Sequence, residues 1–172
     1  MMAPFEDDES GWSRLDYRLL RDGGVVLYNS EAVLREDVAW LRAEKYQVQE
    51  FDARRWNSES DFHDEVARSL GFPDYYGQNL DAFNDCMGDI LVPAEGGMAI
   101  VIRNADTVGL RDRELLPIVL DILADVTRKN MLFGRRFLTL VQSEDPRIEF
   151  APIGAVPVIW NPREWLRSNR GL

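Results

Sequence analysis

Two apolar runs decide what this chain can fold into. Met98-Ala99-Ile100-Val101-Ile102 and Phe137-Leu138-Thr139-Leu140-Val141 have strand length and are almost unbroken by polar residues. Successive strand residues point to opposite faces, so such a run is apolar on both sides and both sides must be covered. That is the pattern of a parallel sheet flanked by helices, not of a sheet with one face in water.

The rest of the chain supplies the helices. Gly23-Gly24 is a break before a strand candidate, Val25-Val26-Leu27-Tyr28. Ser30 is a good N-cap for a helix over about 31–44, with Val33, Leu34, Val38 and Leu41 on one face. Tyr46, Val48 and Phe51 mark a shorter, less buried strand. Asn57 or Ser58 caps a helix over about 59–70, with Phe62, Val66 and Leu70 inward. A polar loop over 103–112 leads to a helix over about 116–129, where Pro117 sits in the first turn and its missing N–H costs nothing. Val156 to Trp160 reads as a weaker strand, and Pro157 assigns it to a sheet edge. Residues 162–172 predict a helical turn around Trp165 and Leu166. This order predicts an α/β fold: a mainly parallel sheet of three to four strands covered by helices, with an extra C-terminal edge strand. Residues 1–12 are expected to form a disordered acidic arm, and 13–172 a single domain.

Composition excludes several functions. A net charge of −10 opposes sequence-independent binding of nucleic acid, which needs Lys and Arg against phosphate. It favours a basic partner. Cys86 is the only cysteine, so no intramolecular disulfide forms, which fits a reducing compartment. The first residues lack the basic and apolar regions of a signal peptide, and no apolar run approaches a membrane span. A cytoplasmic protein without membrane contact is expected. One Cys and one His rule out the usual zinc clusters, and neither a G-x-G-x-x-G nor a P-loop sequence occurs, so no cofactor or metal is expected. His63, in Asp61-Phe62-His63-Asp64-Glu65, reads as a surface residue of its helix.

The stretch from Pro73 to Ile90 is unusual. Pro73 and Gly77 predict a tight bend over 73–77, with Gly77 free to take angles closed to other residues. Asn79 is the expected N-cap of a short helix. Leu80, Phe83, Met87 and Ile90 or Leu91 form its apolar stripe, while Asp81, Asp85 and Asp89 lie together on the other side. Like charges at this spacing repel, and no Lys, Arg or His occurs between Arg68 and Arg103. The face is suited to a cationic partner. An i, i+4 carboxylate pair can also meet a divalent ion, but supporting ligands and a phosphate cradle are missing.

The run Pro73-Asp74-Tyr75-Tyr76-Gly77-Gln78-Asn79-Leu80-Asp81-Ala82, followed by Asp85-Cys86, resembles the signature of the barstar family, small intracellular inhibitors of barnase-type ribonucleases. The element order over about 46–143 is similar to the family core, with additions on either side. The resemblance implies a non-enzymatic inhibitor that plugs the basic active site of a ribonuclease or related nuclease toxin. It implies that Tyr75 packs on the enzyme, that Asp81 faces the basic cleft and that Asp85 takes the place of a substrate phosphate. Gly77 and Asn79 belong to the same contact loop, and Asp125, by helix position, is a further acidic contact. It also implies that Tyr76 is the inward member of the tyrosine pair. Asn84 stands where the best-known member has tryptophan, which leaves open a different nuclease, or a non-nuclease partner for an interaction module of the same fold.

Overall fold

The computed structural model describes residues 5–109, 112–154 and 156–164. In chain order it contains α1 (Glu9–Trp12), α2 (Leu15–Arg21), β1 (Val25–Tyr28), α3 (Glu31–Ala43) and β2 (Tyr46–Asp52). These are followed by α4 (Glu59–Leu70), α5 (Leu80–Gly88), β3 (Gly97–Arg103), α6 (Asp106–Gly109), α7 (Leu115–Met131), β4 (Phe137–Gln142) and β5 (Ile159–Trp160). Among the described residues the strands form one five-stranded sheet in the order β2-β3-β4-β1-β5, and every strand pairing is parallel.

The two apolar runs are the middle of this sheet, and they divide their side chains between two cores. Met98, Ile100 and Ile102 of β3 and Phe137 and Val141 of β4 face α4, α5 and α7, meeting Phe62, Phe83, Met87, Val119 and Leu123. Ala99 and Val101 of β3 and Leu138 and Leu140 of β4 face α2 and α3, meeting Leu19, Leu20, Val33, Leu34, Val38 and Leu41. A period of two thus builds a helix–sheet–helix sandwich, as the continuous apolar pattern requires. Gly96 and Gly97 both take positive φ at the entry to β3, and a Cβ on Gly96 would collide with the Lys45 carbonyl.

The helix boundaries follow their caps. Ser30 accepts the Val33 N–H at the start of α3. Ser58, not Asn57, caps α4, and Asp61 reaches back to complete a capping box. Gly71 ends α4 in the left-handed conformation. Pro117 lies in the first turn of α7.

Three expectations change, and a fourth falls largely outside the described residues. The acidic arm is ordered at its described end: Asp8 caps α1, and Phe5 packs edge-on against Tyr17 and beneath the Arg136 guanidinium. The polar loop after β3 contains the short helix α6. The C-terminal strand shrinks to Ile159–Trp160, because Val156 pairs back with Ile153 instead. A 3₁₀ turn occupies Pro162–Glu164, while Trp165 and Leu166 lie outside the described residues.

Buried polar groups fasten the terminal segments to the centre. Asp16 of α2 is fully buried and accepts from the Tyr46 hydroxyl at 2.7 Å and from Arg136 at 3.1 Å. Asp37 of α3 accepts from the Tyr28 hydroxyl and from Asn161 Nδ2, each at 2.9 Å. Burial raises the carboxyl pKa of Asp37, against the pull of these donors and of Arg163. Glu164 is buried and accepts from the backbone N–H groups of Asn29 and Ser30, at the start of α3, where a helix favours negative charge.

Candidate functional site

The helix α5 is held in place from its own sequence. Asn79 Oδ1 accepts the Ala82 N–H at 2.8 Å, which caps the helix. Phe83 and Met87 are buried in the core beneath it, and Leu80 and Ile90 pack at its margin. Ile90, not Leu91, completes the apolar stripe; Leu91 is 83% exposed. The carboxylate-rich helix is offset from outside its own segment, since Lys129 of α7 donates from Nζ to the Gly88 carbonyl at its C-terminal end.

The preceding loop is pinned at several points. Its turn closes through the Tyr76 N–H to the Pro73 carbonyl at 2.9 Å. Tyr76 turns inward, packs at a tilt against Phe72, and its hydroxyl lies 2.5 Å from His63 Nδ1. Partial burial raises the Tyr76 phenol pKa. Gln78 Nε2 donates to Asp64 of α4 at 2.6 Å. The residue in left-handed geometry is Gln78, with φ 47°, and not Gly77 as expected. Gly77 is suited to its place by space instead, since a Cβ there would come within 3.2 Å of Asn79 Nδ2.

His63 is the clearest correction to the sequence reading. It is 1% exposed rather than on the surface, packed against Phe62 and Tyr76, with Nε2 3.2 Å from Glu59. Nδ1 therefore joins α4 to the loop, while Nε2 is engaged within α4 itself. The signal missed is tertiary: α4 is covered on this side by the 72–76 turn.

The outward groups form one face. Tyr75 is 88% exposed. Asp81, Asn84, Asp85 and Asp89 are exposed along α5. The side chains of Asp81, Asp85 and Asp89 have no hydrogen bond or ion pair among the described residues. Asn84, Asp85, Gly88 and Asp89 line an open groove whose other wall is Asp125, Val126 and Lys129 of α7. Asp125 is exposed and paired with Arg128. On the other side of the same Asp85–Asp89 edge lies a cleft of about 490 Å³, shared with Tyr75 and Cys86. Burial, then the charges of Asp85 and Asp89, push the Cys86 thiol pKa up, opposite to what a reactive thiolate needs.

Fold and face together define a class: a helix–sheet–helix α/β domain that presents a rigid acidic helix beside an exposed tyrosine. Residues 46–142 match the sequence model of the family described as Barstar (barnase inhibitor). That segment is more than half of the chain, and the chain belongs to the barstar family. A Bacillus subtilis protein named "Putative ribonuclease inhibitor YrdF" is 47% identical over 54 residues, covering 31% of this chain and 55% of that protein. The chain thus spans about half the length of this relative.

The structure brings Asn84, Asp85 and Asp125 to one groove and Tyr75 and Asp85 to one cleft. Asn79 spends its side-chain oxygen on the cap. Among the described residues no group of three or more His, Cys, Asp or Glu side chains is placed to hold a metal ion, and no helix is long and apolar enough to cross a membrane.

Proposed function

We propose that this chain inhibits a ribonuclease of the barnase type, or a related nuclease toxin, by plugging its active site without catalysis of its own. Asp85 takes the position of a substrate phosphate, Asp81 supplies a second anionic contact and Tyr75 packs on the enzyme surface. Asp125 extends the anionic surface across the groove, and Gly77 and Asn79 hold the loop in shape at the contact. The observation that carries this reading is the pair of exposed carboxylates with no cation partner among the described residues, on a capped and core-anchored helix inside the matched family segment. A ribonuclease site must bind phosphate, so it gathers Arg, Lys and His. A fixed carboxylate accepts charge-assisted hydrogen bonds from such groups and pays little ordering entropy on binding. The surrounding negative charge speeds encounter with a basic protein.

The test is inhibition of a panel of barnase-type ribonucleases by the full chain and by Asp85→Ala. The expected result is a 1:1 complex, weakened by salt, whose affinity falls roughly 30-fold or more on substitution. Unchanged inhibition by Asp85→Ala would remove the assigned mechanism.

Asn84 supports a second reading, an interaction module with a non-nuclease partner. It is exposed and lines the groove, and Asn offers far less apolar contact than the aromatic residues favoured at hot spots. Failure of the whole panel to bind would favour it.

A further inference from the structure

We propose that the cleft behind the Asp85–Asp89 edge is a second contact region for the same basic protein, taking an apolar side chain flanked by Arg or Lys, with Leu91 and Asp89 as contact residues. This rests on the inhibitor reading above.

The cleft holds about 490 Å³. Leu70, Phe72, Pro73, Ile90 and the buried Met98 contribute apolar wall. Tyr75 and Leu91 stand at its rim, 88% and 83% exposed. Exposed large apolar groups gathered around a cavity mark a contact site rather than ordinary surface. The charged lining has one sign: Asp85 and Asp89 are present, Gln47 is neutral, and among the described residues no Lys, Arg or His lines the cleft. That lining disfavours phosphate or carboxylate ligands and suits a cation joined to apolar surface, which a protein segment with an aliphatic or aromatic side chain next to Arg or Lys provides. Asp85 and Asp89 also line the groove toward α7, so a partner engaging Asp85 reaches the cleft without a break in contact. Asp89 thereby gains a role as the shared wall of both depressions. A second copy of this chain is a poor occupant, because it would set two acidic rims against each other in a protein of net charge −10.

The experiment is titration of a barnase-type ribonuclease with the full chain and with Leu91→Ser, Leu91→Met, Asp89→Asn and Asp85→Asn, each at two salt concentrations. Leu91→Ser is expected to weaken binding about tenfold without altering the salt dependence, and Leu91→Met to restore it. Asp89→Asn is expected to weaken binding a few-fold, roughly, and to flatten the salt dependence. The exposure of Leu91 leaves the fold intact, which an unchanged melting temperature checks. Loss of binding on Asp85→Asn with full retention on Leu91→Ser would overturn the cleft and leave the inhibitor reading standing. No binding by the wild-type chain to any such ribonuclease would overturn both. A dimer in sedimentation that Leu91→Ser returns to monomer would assign the cleft to a second copy and overturn the proposal.

Discussion

Thr139 shows how one atom can sit against the logic of its surroundings. It lies in the middle of β4, fully buried, and its hydroxyl has no hydrogen-bond partner among the described residues. A buried hydroxyl without a partner costs about 1–3 kcal/mol, whereas a methyl of the same shape costs nothing there. Thr139→Val is therefore expected to raise the unfolding free energy by ~1 kcal/mol in urea titration, with no change in binding. Asp52 makes the opposite case, a carboxylate well served. The Arg54 side chain is the main cause that holds its pKa down to about 2, helped by Asn104, from an ordinary value of 3.8. The folded value lies below the unfolded one, so the stabilisation is present above pH 3.8 and is lost as pH falls toward about 2. Asp52→Asn is expected to flatten the decline in stability across that window, measured by urea unfolding at stepped pH. The outward aspartates of α5 were legible in the sequence because their spacing and missing counterions are local facts. Burial of His63 was not, because it depends on a turn that packs over α4 only in the folded chain.

At the level of elements, α5 and its loop form a device for holding carboxylates still. The cap, the Phe83–Met87 anchor and the links from Tyr76 to His63 and from Gln78 to Asp64 each remove a way for Asp81 and Asp85 to move. Loss of the cap by Asn79→Ala is expected to cost ~1 kcal/mol in denaturant, and Asn79→Ser to recover most of it. If the helix serves as a preorganised ligand, the same substitution also weakens binding of a barnase-type ribonuclease, although Asn79 carries no charge. Helix and strand positions were readable because buried apolar periodicity carries them: α3, α4 and α7 fall within a few residues of the spans expected from Val33 to Leu41, Phe62 to Leu70 and the run after Pro117. The edge strand was harder. Val156 had the right composition, but its pairing with Ile153 is a choice between two local partners that pattern does not decide.

Across the whole molecule, the matched segment 46–142 supplies β2, β3 and β4, and the flanking segments supply β1 and β5. β1 pairs along β4, which would otherwise be an open edge able to pair with other chains. The bonds that secure these additions span the sequence: Glu164 reaches Asn29 across 135 residues, and Asp16 reaches Arg136 across 120. Such partners cannot be paired from a single sequence, and the sequence marks neither Asp16 nor Glu164. Asp16→Ala strands the Tyr46 hydroxyl and Arg136, and is expected to cost roughly 3 kcal/mol in chemical unfolding while leaving the distant acidic face able to bind. The acidic face itself carries the central claim, that the aspartate pair occupies a nuclease active site. The most direct measurement is the affinity of the chain for a barnase-type ribonuclease at rising concentrations of a mononucleotide that fills that enzyme's phosphate site. The account predicts strict competition, with apparent affinity falling in proportion to nucleotide occupancy. Binding that stays constant while the nucleotide saturates the enzyme would contradict it.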